Sequence, residues 1–519
     1  MEIVDDKFLV VRTRNPRKIT DELPDSAVAA STGDISTVVV PWGLKEAQYL
    51  RKIGVKAAPS PIHRDYDWPG LFQPMSHQRD TAEFLTLHKR AFCFNEAGTG
   101  KTASAIWASD YLLNQGVIRR VLIVCPMSIM QAAWQNDLFK FAIHRSVAVA
   151  HGTREKRKEI IAGPYDYVVI NFDGVSTVAD DIIKANFDLI IIDEANAYKT
   201  VGTKRWKTMQ RLIDRDTWLW LMTGTPAAQS PFDAYGLAKL AVPERVPKFA
   251  GAFKEHVMMK ISQFKWVPRH DHAKKVHYAL QPAIRFEKKD CLDLPEVTYT
   301  DREVELTPQQ KKYYELVRKE FLVETGDEII TSANAAVNLS KLLQISAGAV
   351  YSQSGATLEF DVSNRLKVVR EVIEEASHKV LVFVPFTHAI DILRDYLTQH
   401  GIPCEVINGN VSAHKRNETF NRFQTKDDKD LKVLIIQPAA AAHGVTLTAA
   451  NMVVWYAPVT STEIYLQANA RIDRQGQKNA MTVVHLQGSP VERKLYNMLQ
   501  NRLDAHEKLV DLYRQVLTE

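Results

Sequence analysis

The sequence predicts an α/β protein with two tandem parallel-sheet lobes behind a small N-terminal α/β module. Three observations carry that prediction. Short, nearly unbroken Val/Ile/Leu runs alternate with helix-length stretches, and the pattern occurs twice along the chain. Strands of a sheet covered on both faces have this texture, whereas strands of a half-solvated sheet alternate apolar with polar residues. The runs end in polar or turn residues, the end at which open parallel sheets collect their ligands. At 519 residues the chain is also too long for one ordinary core.

The elements follow in order. Lys7–Arg12 and Thr37–Pro41 read as strands and Leu44–Ile53 as a helix, and a Pro-, Asp- and Trp-rich linker follows at Pro59–Pro69. In the first lobe the strands are AFCF (Ala91–Phe94), RVLIVCP (Arg120–Pro126), DYVVIN (Asp166–Asn171), DLIIIDEA (Asp188–Ala195) and LWLMTGTP (Leu219–Pro226). In the second they are KVLVFVPF (Lys379–Phe386), CEVING (Cys404–Gly409), KVLIIQ (Lys432–Gln437), NMVVWYAP (Asn451–Pro458) and MTVVHLQ (Met481–Gln487). The expected divisions are a module over 1–70, a lobe over 71–291 and a lobe over 292–519. The last includes a charged helical insertion near 307–343 and an amphipathic C-terminal stretch, Val491–Leu517, that reads as bracing helices.

Composition narrows the class. With 45% hydrophobic and 24% charged residues, the chain reads as a soluble globular protein. A net charge of +5, from 66 basic and 61 acidic residues, permits a nucleic-acid partner without requiring one. Cys93, Cys125, Cys291 and Cys404 lack paired spacing, which argues against a zinc site or disulfide framework and for a reducing, cytoplasmic setting. The start, MEIVDDKFLVV, is acidic where a signal peptide is basic, and no apolar run is long enough for a bilayer, so no membrane partner is expected.

Three stretches carry chemistry. In FNEAGTGKTASA, Gly98 and Gly100 let backbone N–H groups curl around phosphate oxygens at the start of a helix over Ala103–Leu113. Lys101 adds a positive charge for the outer phosphates, and Thr102 a hydroxyl suited to Mg²⁺. In DLIIIDEANAYK, Asp193 stands where a carboxylate can hold Mg²⁺ and Glu194 where one can polarise a water. In LQANARIDRQGQ, Gln467, Arg471 and Arg474 stand four and three residues apart, so a helix would aim all three at one anion. Thr223 and Thr225 of LMTGTPAAQ are short donors suited to sensing a γ-phosphate, and the Gln78 amide is suited to an adenine edge, although each also reads as an ordinary turn or surface residue.

Taken in chain order, HQ, NEAGTGKT, LIVCPMSIMQAAW, DEANAYK, TGTPAAQ, VLVFVPF, AAHGVTLTAA and QANARIDRQGQ resemble the motifs of the superfamily-two helicase and translocase ATPases. The likeness is nearest to the Swi/Snf-like branch and its shorter phage and bacterial members, and it runs from about Phe72 to Glu492. It implies RecA-like lobes, ATP with Mg²⁺, and a phosphate cradle of Gly98, Thr99, Gly100, Lys101 and Thr102. It implies that Asp193 and Glu194 are the metal and water residues, and that Arg471 and Arg474 are arginine fingers reaching ATP held by the other lobe, with Gln467 in the same cleft. Two positions depart from the pattern: Asn95 replaces a usual Asp, and Asn196 a usual His.

By the same resemblance, Pro126, Met127 and Ser128 and the loop His443–Thr448, with Gly444, Thr446 and Thr448, would touch a nucleic-acid backbone. Lys379, His388, Lys415 and Arg416 could add charge, and Trp134 reads as core or as a base-stacking ring. The expected partner is duplex or branched DNA, bound without regard to sequence; RNA stays possible, and a monomer is expected. An ATP-driven DNA translocase is preferred over a strand-separating DNA or RNA helicase and over a non-hydrolysing ATP-binding regulatory partner of the replication or transcription machinery. Residues 1–70 are expected to choose the substrate, using exposed Trp42, Arg64, Tyr66 and Trp68.

Overall fold

In a computed structural model of the chain, the described residues are 1–55, 57–224, 226–227, 230–262, 266–324, 332–351, 357–425, 430–441 and 445–501. Contacts divide the chain into two units, one of residues 1–227 and 231–291, the other of 292–519 with 228–230. No described helix is long and apolar enough to cross a membrane.

The first unit opens with four antiparallel strands, β1 (Glu2–Val4), β2 (Phe8–Thr13), β3 (Ala27–Thr32) and β4 (Ile35–Pro41), in the order β1-β2-β4-β3. Leu9 faces Val40 across the β2–β4 pair and Val11 faces Val38, so one side of the sheet is apolar. That side packs on Ile19, Leu23, Leu50 and Ala58 to make a small core.

The aromatics expected on the surface of this region lie inside. Trp42, Tyr66 and Trp68 are 8%, 7% and 5% exposed. The Trp42 indole donates to the Pro59 carbonyl at 2.9 Å, and the Tyr66 hydroxyl to buried Asp110 at 2.6 Å. The Arg64 guanidinium lies over the Trp42 ring, 4.7 Å from its centroid. Large amphipathic rings bury their area wherever the polar tip finds a partner.

The large sheet of this unit contains β5 (Arg90–Cys93), β6 (Val121–Cys125), β7 (Val147–Ala150), β8 (Tyr167–Asn171), β9 (Leu189–Asp193) and β10 (Trp218–Met222). After an antiparallel ribbon of β11 (Met258–Lys260) and β12 (Trp266–Pro268), β13 (Ala283–Ile284) completes it. The order is β13-β5-β10-β9-β6-β8-β7, parallel throughout. Strands β6, β8, β9 and β10 are buried at every position, because helices cover both faces.

In the second unit, β14 (Val297–Glu303) leads into helices Pro308–Glu324 and Ser332–Ala347, and β15 (Ala349–Tyr351) pairs with β16 (Thr357–Glu359) as a ribbon. The main sheet adds β17 (Lys379–Phe383), β18 (Cys404–Ile407), β19 (Val433–Ile436), β20 (Ala450–Trp455) and β21 (Met481–Gln487), in the parallel order β14-β21-β20-β17-β19-β18. A buried ion pair locks one side: the Arg365 guanidinium donates to both Glu492 oxygens at 2.8 and 2.9 Å, and to the Tyr456 carbonyl. Glu492 also accepts the N–H groups of Gly488 and Ser489 at the start of helix Pro490–Gln500. The rest of the expected C-terminal helix, from residue 502, lies outside the described residues.

Candidate functional site

Strand register builds the first half of the site. Met222 of β10 pairs with Cys93 on one side and Asp193 on the other, so β5, β10 and β9 end at one level. Neighbouring strands lie about 4.8 Å apart, which sets the β5 and β9 ends roughly 10 Å from each other.

After β5 the chain turns through Gly98 (φ +90°) and Gly100 (φ +84°), and the helix begins at Lys101. Both φ values suit glycine, and a Cβ at Gly100 would come within 2.2 Å of the Gln78 Nε2. The loop is braced from behind. Thr99 Oγ1 donates to the Glu96 carbonyl at 2.8 Å, and its own carbonyl accepts from His77 at 2.8 Å and Gln78 at 3.2 Å. Gln78 Oε1 accepts the Met75 N–H. The Gln78 amide is thus buried and braces the phosphate loop. Thr102, in the first helical turn, is half-buried.

Asn95 is structural. The Thr81 hydroxyl donates to the His77 carbonyl at 2.6 Å, so its oxygen needs a donor, and Asn95 Nδ2 supplies one at 2.8 Å. Asn95 Oδ1 accepts the Phe286 N–H at 2.9 Å. An Asp could not serve both partners while ionised.

Lys101 Nζ donates to the Glu96 carbonyl at 3.2 Å. Its charge reaches both strand ends. Burial pushes the Cys93 thiol up to about 11, and burial also raises the Asp193 carboxyl above its ordinary value. In each case the Lys101 charge opposes that rise, as do N–H donors at Asp193. Asp193 Oδ2 accepts the Trp134 indole N–H at 3.0 Å, and Oδ1 the Glu194 N–H at 3.0 Å. Trp134 is fully buried, so it is core and not a base-stacking ring. Glu194 takes a left-handed conformation (φ +53°) that turns the chain sharply out of the strand, and it is half-buried beside Asn196. Thr223 follows β10 with its N–H on the Cys93 carbonyl at 3.0 Å, while Thr225 lies outside the described residues.

In the second unit the sequence expectation fails in one respect. Gln467 lies on the helix Thr462–Asn469, but the helix stops there and Arg471 and Arg474 occupy the turns that follow. Gln477 donates to the Ile472 carbonyl at 3.3 Å and the Ala450 carbonyl at 2.8 Å, pinning a turn onto β20. Gln467 Nε2 donates to Glu463 at 3.4 Å. Arg471 is 2% exposed and donates to the Val445 carbonyl at 3.2 Å; Arg474 Nε donates to the Ala470 carbonyl at 2.7 Å and Nη1 reaches Thr446 Oγ1 at 3.5 Å. The loop with Thr446 and Thr448 is therefore tied to the arginine segment, and Thr448 Oγ1 accepts from Gln424 at 3.4 Å. Gly444 and His443 lie outside the described residues.

Of the other nucleic-acid candidates, Pro126 is buried, Ser128 half-buried and Met127 56% exposed, on the turn that leaves β6. Lys379 is not a surface charge: it is 8% exposed and donates to the Phe423 and Thr425 carbonyls. Arg416 donates to the Asn408 and Val411 carbonyls, Lys415 to Glu418, and His388 bonds Thr357.

The residues present fit Mg²⁺ with a phosphate. The donor set is hard, a carboxylate and a hydroxyl, and the loop turns at positive φ at Gly98 and Gly100 immediately before the helix N-terminus at Lys101. Such a loop at the end of one parallel strand, level with an acidic pair two strands away, defines the phosphate-loop class of α/β proteins. The SNF2-related domain model matches residues 77–350 and the helicase conserved C-terminal domain model matches 364–476. The chain belongs to the SNF2-related family.

Curated relatives include Chromodomain-helicase-DNA-binding protein 1-like of Danio rerio, 25% identical over 476 residues, covering 85% of this chain and 44% of the relative. Another is ISWI chromatin-remodeling complex ATPase CHR11 of Arabidopsis thaliana, 26% identical over 428 residues, covering 79% of this chain and 40% of the relative. The chain thus spans less than half the length of these relatives. A similar solved structure is the Sulfolobus solfataricus SWI2/SNF2 ATPase core in complex with dsDNA, 22% identical, covering 84% of this chain and 92% of that chain with a TM-score of 0.42.

Proposed function

We propose that this chain is a DNA-stimulated ATPase that couples ATP hydrolysis to movement on duplex or branched DNA. The observation that carries the reading is the level register of β5, β10 and β9, which brings the Gly98–Thr102 loop and the Asp193–Glu194 pair to one edge of one sheet. Backbone N–H groups of the loop bind phosphate oxygens, Lys101 balances their charge, and Gln78 keeps the loop in shape. Thr102 and Asp193 would hold Mg²⁺, which when bound neutralises charge on the phosphates. Glu194 orients the attacking water and takes its proton. In this reading Arg471 and Arg474 are arginine fingers that stabilise charge as the γ-phosphate is transferred.

Movement on DNA is supported by family membership, and the exposed turn at Met127 after β6 is a candidate contact for a phosphodiester backbone. The test is the ATPase rate with duplex DNA, forked DNA, single-stranded DNA and RNA at fixed salt. Stimulation by duplex or forked DNA that falls steeply with ionic strength is expected. A strict demand for RNA, or no hydrolysis with any of them, overturns the reading.

A further inference from the structure

Trp134 has a contact that core packing alone does not explain. A buried indole needs an acceptor for its N–H. Trp107, Trp206 and Trp220 of the same unit find theirs in the carbonyls of Pro69, Gly236 and His88, as packing residues do. Trp134 donates instead to a side-chain carboxylate, the Asp193 Oδ2, at 3.0 Å. The other oxygen of that carboxylate is held at the same distance by the Glu194 N–H. Two donors, one on each oxygen, fix the rotation of the carboxylate plane about the Cβ–Cγ bond, which is otherwise soft in Asp.

The backbone goes out of its way to make this contact. After β6 the chain runs through a 3₁₀ turn at Met127–Ile129, then a π-helical stretch at Met130–Gln135, and only then an α-helix at Asn136–Phe141. A π-helical turn is an uncommon and poorly packed conformation that concentrates at functional sites. Here it carries Trp134. Because β6 pairs with β9, Val124 beside Ile192, the re-aimed ring comes to rest at the end of the neighbouring strand, against Asp193.

We infer that Trp134 is a positioning residue: its indole N–H sets the Asp193 carboxylate in the orientation that receives Mg²⁺. This rests on the nucleotide-site reading above. Partners that orient a metal ligand from behind typically contribute a factor of about 10–100 in metal affinity.

The test measures Mn²⁺ binding by electron paramagnetic resonance on the full-length chain, with a non-hydrolysable ATP analogue. Trp134→Phe keeps an aromatic ring but removes the donor. Trp134→His removes more of the core but places Nε2 where the indole nitrogen stood. A positioning role predicts that Trp134→Phe weakens Mn²⁺ about 10-fold and that Trp134→His recovers part of the loss. Packing alone predicts the reverse order, and that order overturns the proposal. Trp220→Phe, an equal truncation of a fully buried Trp in the same unit, should leave Mn²⁺ affinity unchanged; an equal loss there also overturns it. Asp193→Ala separates the two levels. If it binds Mn²⁺ like the parent chain, the nucleotide-site reading fails and the proposal with it. If it loses Mn²⁺ while Trp134→Phe does not, only the proposal fails.

Discussion

The phosphate loop of the first unit and the arginine segment of the second differ in what holds them. The loop is fixed by main-chain conformation and braced by buried side chains: Gly98 and Gly100 at positive φ, with Asn95, His77 and Gln78 behind. Within it the Thr99 N–H and Lys101 Nζ both point to the Glu96 carbonyl. The arginines are side chains engaged with carbonyls of their own unit, Arg471 with Val445 and Arg474 with Ala470. A guanidinium must exchange such a bond, with a net value of about 1 kcal/mol, before it serves elsewhere. One region is held mainly by its backbone and buried braces, the other by side-chain bonds within its own unit.

Five substitutions test that contrast, from the largest effect down. Lys101→Ala and Glu194→Gln should each remove DNA-stimulated turnover by a factor of about 1,000 or more, a barrier change of roughly 4 kcal/mol. Only Glu194→Gln should keep nucleotide binding in a fluorescent-analogue titration; if both bind equally well, the loop is not what holds the phosphates. Arg474→Ala should cost about 1,000-fold in turnover with little change in thermal stability, since its present bonds are to a partly exposed turn. A large fall in melting temperature with turnover preserved would mark it as a brace.

Arg365→Ala tests the second unit without touching its arginine segment. It strands the Glu492 carboxylate in the core, and about 3–5 kcal/mol of that unit's stability should go. Denaturant unfolding followed on each unit should show the first unit's transition unmoved. Asn95→Asp makes the smallest change, replacing the Nδ2 donor facing Thr81 by an acceptor. The expected loss is about 1–3 kcal/mol in the first unit, seen as a lower urea midpoint; an unchanged midpoint would mean the brace is dispensable.

Much of this was legible because parallel strands covered on both faces leave a plain mark. VLIVC, YVVIN, LIIID and KVLVF stand out as buried runs, and each is a strand. Strands without that mark were missed. β14, with Thr298, Thr300, Asp301, Arg302 and Glu303, lies at an edge where only β21 pairs with it, and β3 is exposed along its length.

The glycines and acids of the site were legible because their chemistry needs those residue types at those strand ends. The partners of Asn95 and Trp134 were not, because they come from Thr81, Phe286 and Asp193, remote in sequence. The turns that carry Arg471 and Arg474 were not legible for a similar reason: the bond from Gln477 to the Ala450 carbonyl joins residues far apart in sequence. The aromatics of the N-terminal linker looked exposed because nothing local reveals Asp110 or the Pro59 carbonyl waiting for them.

Because β10 sits between β5 and β9, it acts as a gauge block, its width fixing the gap between the Gly98–Thr102 loop and the Asp193–Glu194 pair. A frame shift of one residue within that block would slide Thr223 about 3.3 Å along the sheet and reverse which way every side chain of the strand points. An insertion or deletion inside Trp218–Met222 would put the Gly98–Thr102 loop and the Asp193–Glu194 pair out of step even if every residue named above were kept.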